Sequence, residues 1–183
     1  MLLWTLENLS PLQRPKHILN NPFMMRKILL ILLVALLLIQ FIRPTRNISE
    51  RKSDNHISNK YNVPASVSGI LEKSCYDCHS NNTVYPWYTN IQPVGLWLQN
   101  HVNEGKGELN FSEFLAYSPK KARHKLDEVM EMVNEGEMPL ESYTLIHKNA
   151  KLSSEEKTVL ADWASLTMKQ IEKDNNLPPE EKK

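Results

Sequence analysis

The chain has 183 residues, a one-domain length, and its net charge of +1 hides an asymmetry. Residues 1–60 carry nine Lys/Arg against three Asp/Glu, and residues 61–172 carry ten against fifteen. A basic lead before an acidic body excludes a nucleic-acid binder, whose cations should lie on the folded part, and two cysteines three positions apart exclude a disulfide framework.

In chain order, residues 1–23 fit neither a signal nor a domain, and this leader is of doubtful status. Met24-Met25-Arg26-Lys27 ahead of an apolar run is how an export signal begins, so translation is expected to start at Met24 or Met25. The run "ILLILLVALLLIQFI" (28–42) makes about 22 Å of helix. Phe23, Met24 and Met25 lengthen it, and Arg26, Lys27 and Arg43 can reach headgroups. The following "QFIRPTRN" offers no small-residue cleavage site, so residues 24–42 read as an uncleaved membrane anchor rather than a removed signal peptide. Residues 43–62 show no periodic apolar face and are expected to form a flexible tether. The folded domain is expected over 63–173, with a polar tail at 174–183.

Within that domain the apolar periods are helical and no run alternates as a strand does. Val67, Ile70 and Leu71 mark a first helix leading into Cys75. Val94, Trp97, Leu98, His101 and Val102 share one face of a second. A third opens with Ser118 as cap and Pro119 in its first turn, carries Ala122, Leu126, Val129, Met130 and Val133, and stops at Gly136. The last has Ser153 and Glu156 in capping-box spacing and buries Leu160, Trp163, Ala164, Thr167 and Ile171. The expected fold is all-α: four or five short helices behind one N-terminal transmembrane helix. So thin a core calls for a metal or prosthetic group to complete it.

The stretch "EKSCYDCHSNNTVYPWY" (72–88) supplies the chemistry. Cys75-x-x-Cys78-His79 is the signature of covalent haem attachment. On a helical turn the two thiols project to one side and reach two vinyl groups, and the adjacent His79 supplies a proximal iron ligand. A zinc site would want a second ligand pair, whereas His101, His124 and His147 are scattered singly. A thioredoxin-like dithiol would want a βαβ setting. Neither rival explains the adjacent histidine.

For the second axial position Met138 stands out, because it follows a predicted helix end and precedes Pro139, where a loop sulfur can point into a pocket. Met130 belongs to an apolar stripe, Met132 lies off it, and Met168 lies on a late helix. His101, on an apolar face beside Trp97, competes for the same position. Tyr85, Trp87 and Tyr88 either wall the pocket or anchor their own loop.

"CYDCHSNNTVYPWY", "LNFSEF" and "NEGEMPLESY", behind an anchor ending "QFIRP", together resemble the haem-binding domain family of membrane-anchored bacterial proteins, itself similar to class I c-type cytochromes. The resemblance covers about 28–172 and departs at the leader. It implies one haem c held by Cys75, Cys78 and His79, with Met138 as distal ligand. It also implies that the helix before the motif crosses the C-terminal helix, with Gly69 and Trp163 near one contact.

The expected function is a single-pass cytochrome of the bacterial inner membrane, facing the periplasm and carrying single electrons. It would require haem-maturation machinery and meet redox partners with basic docking surfaces. The alternatives are a haem-based sensor or assembly module, and a peroxidase-like enzyme with an open sixth position.

Overall fold

The computed structural model describes residues 22–178, all helix and loop, in two units split at 43/44. The expectations for residues 1–21 and 179–183 lie outside the described residues. The first unit contains α1 (Pro22–Ile39), an 18-residue helix with mean hydropathy 2.4 and no buried residue. It begins two residues ahead of the expected anchor and measures about 27 Å, closer to a full hydrocarbon crossing than the apolar run alone.

The second unit holds α2 (Ala65–Ser74), α3 (Tyr76–His79), α4 (Val94–Glu108), α5 (Pro119–Glu135), α6 (Glu141–Thr144) and α7 (Ser154–Asn175), with short 3-10 turns between them. Four are long, as expected, and α3 and α6 are single turns. Among the described residues there is no strand. The core forms where α5 and α2 pack against α7. Its buried side chains include Leu126 and Val133 of α5, Leu160, Trp163 and Ile171 of α7, and Val67, Ile70 and Leu71 of α2. Phe111 and Phe114 complete it from a 3-10 turn at Phe111–Ala116. Helix ends follow local chemistry. Ser118 accepts from the Lys121 N–H, Gly136 closes α5 at φ 81°, and Ser153 with Glu156 forms a reciprocal capping box on α7.

Two boundaries and one contact differ from expectation. Residues 44–62 are no flexible tether: Ile57 and Tyr61 are buried in the core, and the Asn62 carbonyl accepts from the Trp163 indole N–H at 2.9 Å. Asn47 is buried too, donating to the Ser80 carbonyl and to Thr83 Oγ1, both at 2.9 Å. Asparagine and isolated apolar residues carry no period, so long-range pairing left no local signal. The polar tail likewise starts later than 174, because Leu177 packs on the core and the Pro178 carbonyl accepts from the buried Arg123 guanidinium. Gly69 faces outward with nothing within 4 Å of where a Cβ would sit, while Val67, Ile70 and Leu71 are the buried residues of α2.

Candidate functional site

α2 ends at Ser74, and the next residues make one separate turn: the Cys78 and His79 N–H groups both donate to the Cys75 carbonyl, at 3.1 and 2.8 Å. The pair at i and i+3 therefore shares a side of that turn. Tyr76, between the cysteines, is tilted against Phe111 with ring centroids 5.7 Å apart and edges onto His56, which ties the turn to the core. Helix α4 then lies directly on it. A Cβ on Gly105 would stand 2.9 Å from the Cys78 carbonyl oxygen and 3.0 Å from its Cβ, so glycine sets this close approach. Gly95 does the same at the start of α4, where a Cβ would run into the Thr89 carbonyl.

The two thiols, His79 and Met138 line a cleft of ≈ 280 Å³, together with His101, Gly105, Pro139, Leu140 and Tyr143. It adjoins a second, apolar recess past Asp77, Cys78, His101 and Tyr143. Here the face of α4 carrying Val94, Trp97, Leu98, His101 and Val102 finds its place. That face looks mainly into the recess, while Gly95, Gln99 and Val102 are the buried residues of α4.

Each group is prepared electrostatically and by orientation. His79 Nδ1–H donates to the Leu109 carbonyl at 3.0 Å. Burial draws the imidazole below its usual range despite carbonyl contacts that favour its charge, so at pH 7 it is neutral and its Nε2 lone pair is available. Leu109 is itself fixed from the next residue. Asn110 donates to Asn81 Oδ1 at 2.8 Å, the Asn81 N–H donates to Ser112 Oγ, and the Asn81 side-chain amide donates to Glu113. This clamp joins "HSNN" to "LNFSEF". Burial pushes the Cys75 thiol up to about 12 and the Cys78 thiol to about 11, with Cys78 and Asp77 respectively adding to it. Protonated, desolvated thiols are the reverse of a thioredoxin-like dithiol, whose thiolate must be stabilised. Among the described residues no three His, Cys, Asp or Glu side chains gather as a metal-ion site, so a zinc reading of Cys75 and Cys78 lacks its further ligands. A neutral imidazole, two thiols and a thioether on one apolar-walled cleft fit a haem.

Met138 emerges from the α5 stop: the Gly136, Glu137 and Met138 N–H groups converge on the Met132 carbonyl, and the half-buried side chain enters the cleft. Met130 is half-buried against the core. His101 lines both recesses, its ring 4.4 Å from Trp97 and its Nδ1–H donated to the Trp97 carbonyl. The aromatics of "YPWY" divide. Tyr88 lines the recess, its hydroxyl 2.8 Å from His147 Nε2. Tyr85 points elsewhere, accepting from the Asn47 N–H and donating to Gln99 Oε1, both at 2.7 Å. Trp87 lies at the surface and lines neither recess. Of the two uses open to these aromatics, lining the pocket or anchoring their own loop, Tyr88 lies on the recess, and Tyr85 and Trp87 do not.

Sequence reasoning missed Asp77, Tyr143 and His147. The Tyr143 hydroxyl donates to Asp77 Oδ2 at 2.7 Å while the Val84 N–H donates to Oδ1, which pins the residue between the two cysteines. Burial and that carboxylate push the Tyr143 phenol well above its ordinary value. His147 stacks on Tyr143 with centroids 4.3 Å apart. The Tyr143–Asp77 bond spans 66 residues, so no spacing announces it.

The family model described as "Haem-binding domain" matches residues 34–166, which include Cys75, Cys78, His79 and Met138. Comparison with curated proteins and with solved structures returns no match.

Proposed function

The chain belongs to the haem-binding domain family, and from that premise we propose that it is a membrane-tethered monohaem c-type cytochrome carrying single electrons in the periplasm. Cys75 and Cys78 would hold the group by thioether bonds, and His79 Nε2 and Met138 would hold its iron. The observation carrying this reading is the His79 Nδ1–H bond to Leu109 in a cleft shared with both thiols and the Met138 sulfur. A fixed Nδ1–H sets the tautomer and aims Nε2, as outer-shell partners do for metal-ligating histidines.

When bound, haem supplies an iron that takes up and gives up one electron. The chain's own residues do the rest. Leu109 and the Asn81–Asn110 clamp orient the imidazole, and Tyr143 and Val84 hold Asp77 so that the cysteine turn keeps its shape. Val94, Trp97, Leu98 and Val102 exclude water from the recess. A thioether ligand favours the ferrous state. α1 serves as the anchor, and attachment of this kind occurs on the exported side. Residues 44–178 then stand in the periplasm of a bacterial inner membrane, where protease added to spheroplasts should remove them. The acidic balance of residues 61–172 suits redox partners with basic faces.

Haem staining after denaturing electrophoresis tests attachment. The full chain, expressed with haem-maturation machinery, should stain, and the Cys75→Ala/Cys78→Ala variant should not; undiminished staining would reject the reading. A six-coordinate low-spin spectrum in both oxidation states is expected of an electron carrier, whereas a five-coordinate one would favour a sensor or a peroxidase-like enzyme. Met138→Ala should keep covalent haem, lose the weak long-wavelength ferric band and lower the potential. Met130→Ala should leave that band in place.

A further inference from the structure

Apart from Leu145, Val159 and Leu166, three exposed apolar side chains of the folded unit belong neither to the core nor to the cleft: Ile48 (62 % exposed), Trp87 (75 %) and Ile91 (48 %). Val84, Val94 and Trp97 are exposed as well, but they line the recess, and its occupant accounts for them. Hydrogen bonds gather the other three around one place. Ile48 sits between Asn47, bonded to Thr83, Ser80 and Tyr85, and Ser49, whose N–H donates to Asn82. Arg46 lies over the Tyr85 ring and donates to Asn90 Oδ1, and Asn90 in turn donates to the Trp87 carbonyl. Ile91 follows Asn90 directly. Ile48, Trp87 and Ile91 thus surround the point where the chain joins the folded unit.

That point has a short leash. Asn47 is buried and locked, and from Arg43 to Asn47 the chain makes four peptide steps, at most about 14 Å when fully extended. Asn47 therefore stays within that reach of Arg43, the residue that follows the apolar run. Residues 43–52 also carry Arg43, Arg46, Arg51 and Lys52 against Glu50 alone, which complements anionic headgroups. An exposed tryptophan beside arginine is the residue pairing that interfaces favour, since the indole buries its body and keeps its N–H wet.

We propose that the face formed by Ile48, Trp87 and Ile91, with Arg46 among them, rests in the headgroup layer of the membrane that α1 crosses, its ligand chemistry being acidic phospholipid. This rests on the reading of α1 as an anchor. The contact restrains a domain that a flexible tether would leave to tumble, and so limits the directions from which a partner can approach the cleft.

The test uses the full haem-loaded chain in vesicles of phosphatidylethanolamine and phosphatidylglycerol doped with a lipid that carries a photoactivatable carbene source at its headgroup. Adducts are mapped by mass spectrometry. Adducts are expected on peptides covering 22–42 and also 83–91, and the latter should be lost in Trp87→Ser/Ile91→Ser while haem absorbance is unchanged. Adducts on 22–42 with none on 83–91 would overturn the proposal and leave the anchor standing. Adducts on neither would overturn both. Protection of 83–91 from a water-borne carbene label in native membranes but not in these vesicles would assign the face to a protein partner and would also overturn it.

Discussion

The two halves of the folded unit use similar amphipathic helices for opposite ends. Where α5 meets α7, the apolar stripes face each other, and Leu126, Leu160, Ala164 and Ile171 are buried between them. Around the Cys75–His79 turn, α4 presents its large apolar side chains to the cleft, and its contact with the turn runs through glycine. Side chain-to-backbone and side chain-to-side chain bonds hold this second half: Asn47 to Ser80 and Thr83, Tyr85 to Gln99, Tyr143 to Asp77, Asn110 to Asn81. One half is stabilised by its own burial. The other is a polar frame around an apolar hollow, built to be completed by a hydrophobic planar group.

The sharpest way to break that contrast is to truncate one large apolar residue in each half. Leu160→Ala opens a cavity in the packed half and should cost about 2–5 kcal/mol by urea denaturation of the chain expressed without maturation machinery. Trp97→Ala removes a larger side chain, yet one standing at the cleft, and should cost less than about 1 kcal/mol in the same measurement. Its effect should appear after haem loading, as a lower yield of stained protein. Equal losses from both variants before loading would show that the α4 face is ordinary core.

Second in size is the α3–α4 contact. Gly105→Ala drives a Cβ against the Cys78 backbone, which cannot swing aside as a flexible side chain would, and should cost about 1–3 kcal/mol together with much of the haem incorporation. Gly107→Ala, on the same helix with nothing within 4 Å, should instead stabilise by about 0.5–1 kcal/mol. Matching outcomes at the two glycines would mean that α4 does not rest on the motif.

The packed half was the legible one because its signals are local. The Ser118 cap, Pro119, the Gly136 stop and the Ser153–Glu156 box each span a few residues, and the α7 stripe read from period alone is the stripe found buried. The motif half was legible in its chemistry but not in its frame. Cys75, Cys78 and His79 announce themselves by spacing, and a loop methionine before proline pointed to Met138. Asn47, by contrast, finds its partners 33 to 59 residues away, and Tyr143 reaches Asp77 across 66. Period tells which residues share a face of α4, but a cleft and a core demand the same apolar pattern, so which of the two that face meets is set by tertiary packing.

Asn47 turns that blind spot into a measurement. Its amide donates to Ser80 and Thr83 while Lys106 donates to its Oδ1, so Asn47→Ala leaves a buried carbonyl short of a partner. The expected loss is about 1–2 kcal/mol, with faster proteolysis between residues 43 and 62. A free tether would show no change in either readout. Asn59→Ala makes a useful comparison, because Asn59 is exposed and donates to carbonyls only five and six residues away.

The smallest effect concerns pH and the clamp beneath His79. Burial alone would raise the Glu113 carboxyl, but hydrogen bonds from Asn55, Ser53 and Asn81 and the Lys106 charge together hold it below its ordinary value. A carboxylate depressed on folding contributes stability that is fully present above its unfolded value near 4.5 and is lost as pH falls through the lower folded one. Protonation removes an acceptor from Asn81, which also receives the Asn110 amide that neighbours Leu109. The polar half should therefore loosen first on acidification. Hydrogen exchange at residues 80–83 and 109–113 should quicken below about pH 4.5 while α5 and α7 stay protected, and Glu113→Gln, which keeps an acceptor but cannot ionise, should flatten the pH dependence. Simultaneous loosening of both halves in the Gln variant and the parent alike would show that the clamp draws nothing from this charge.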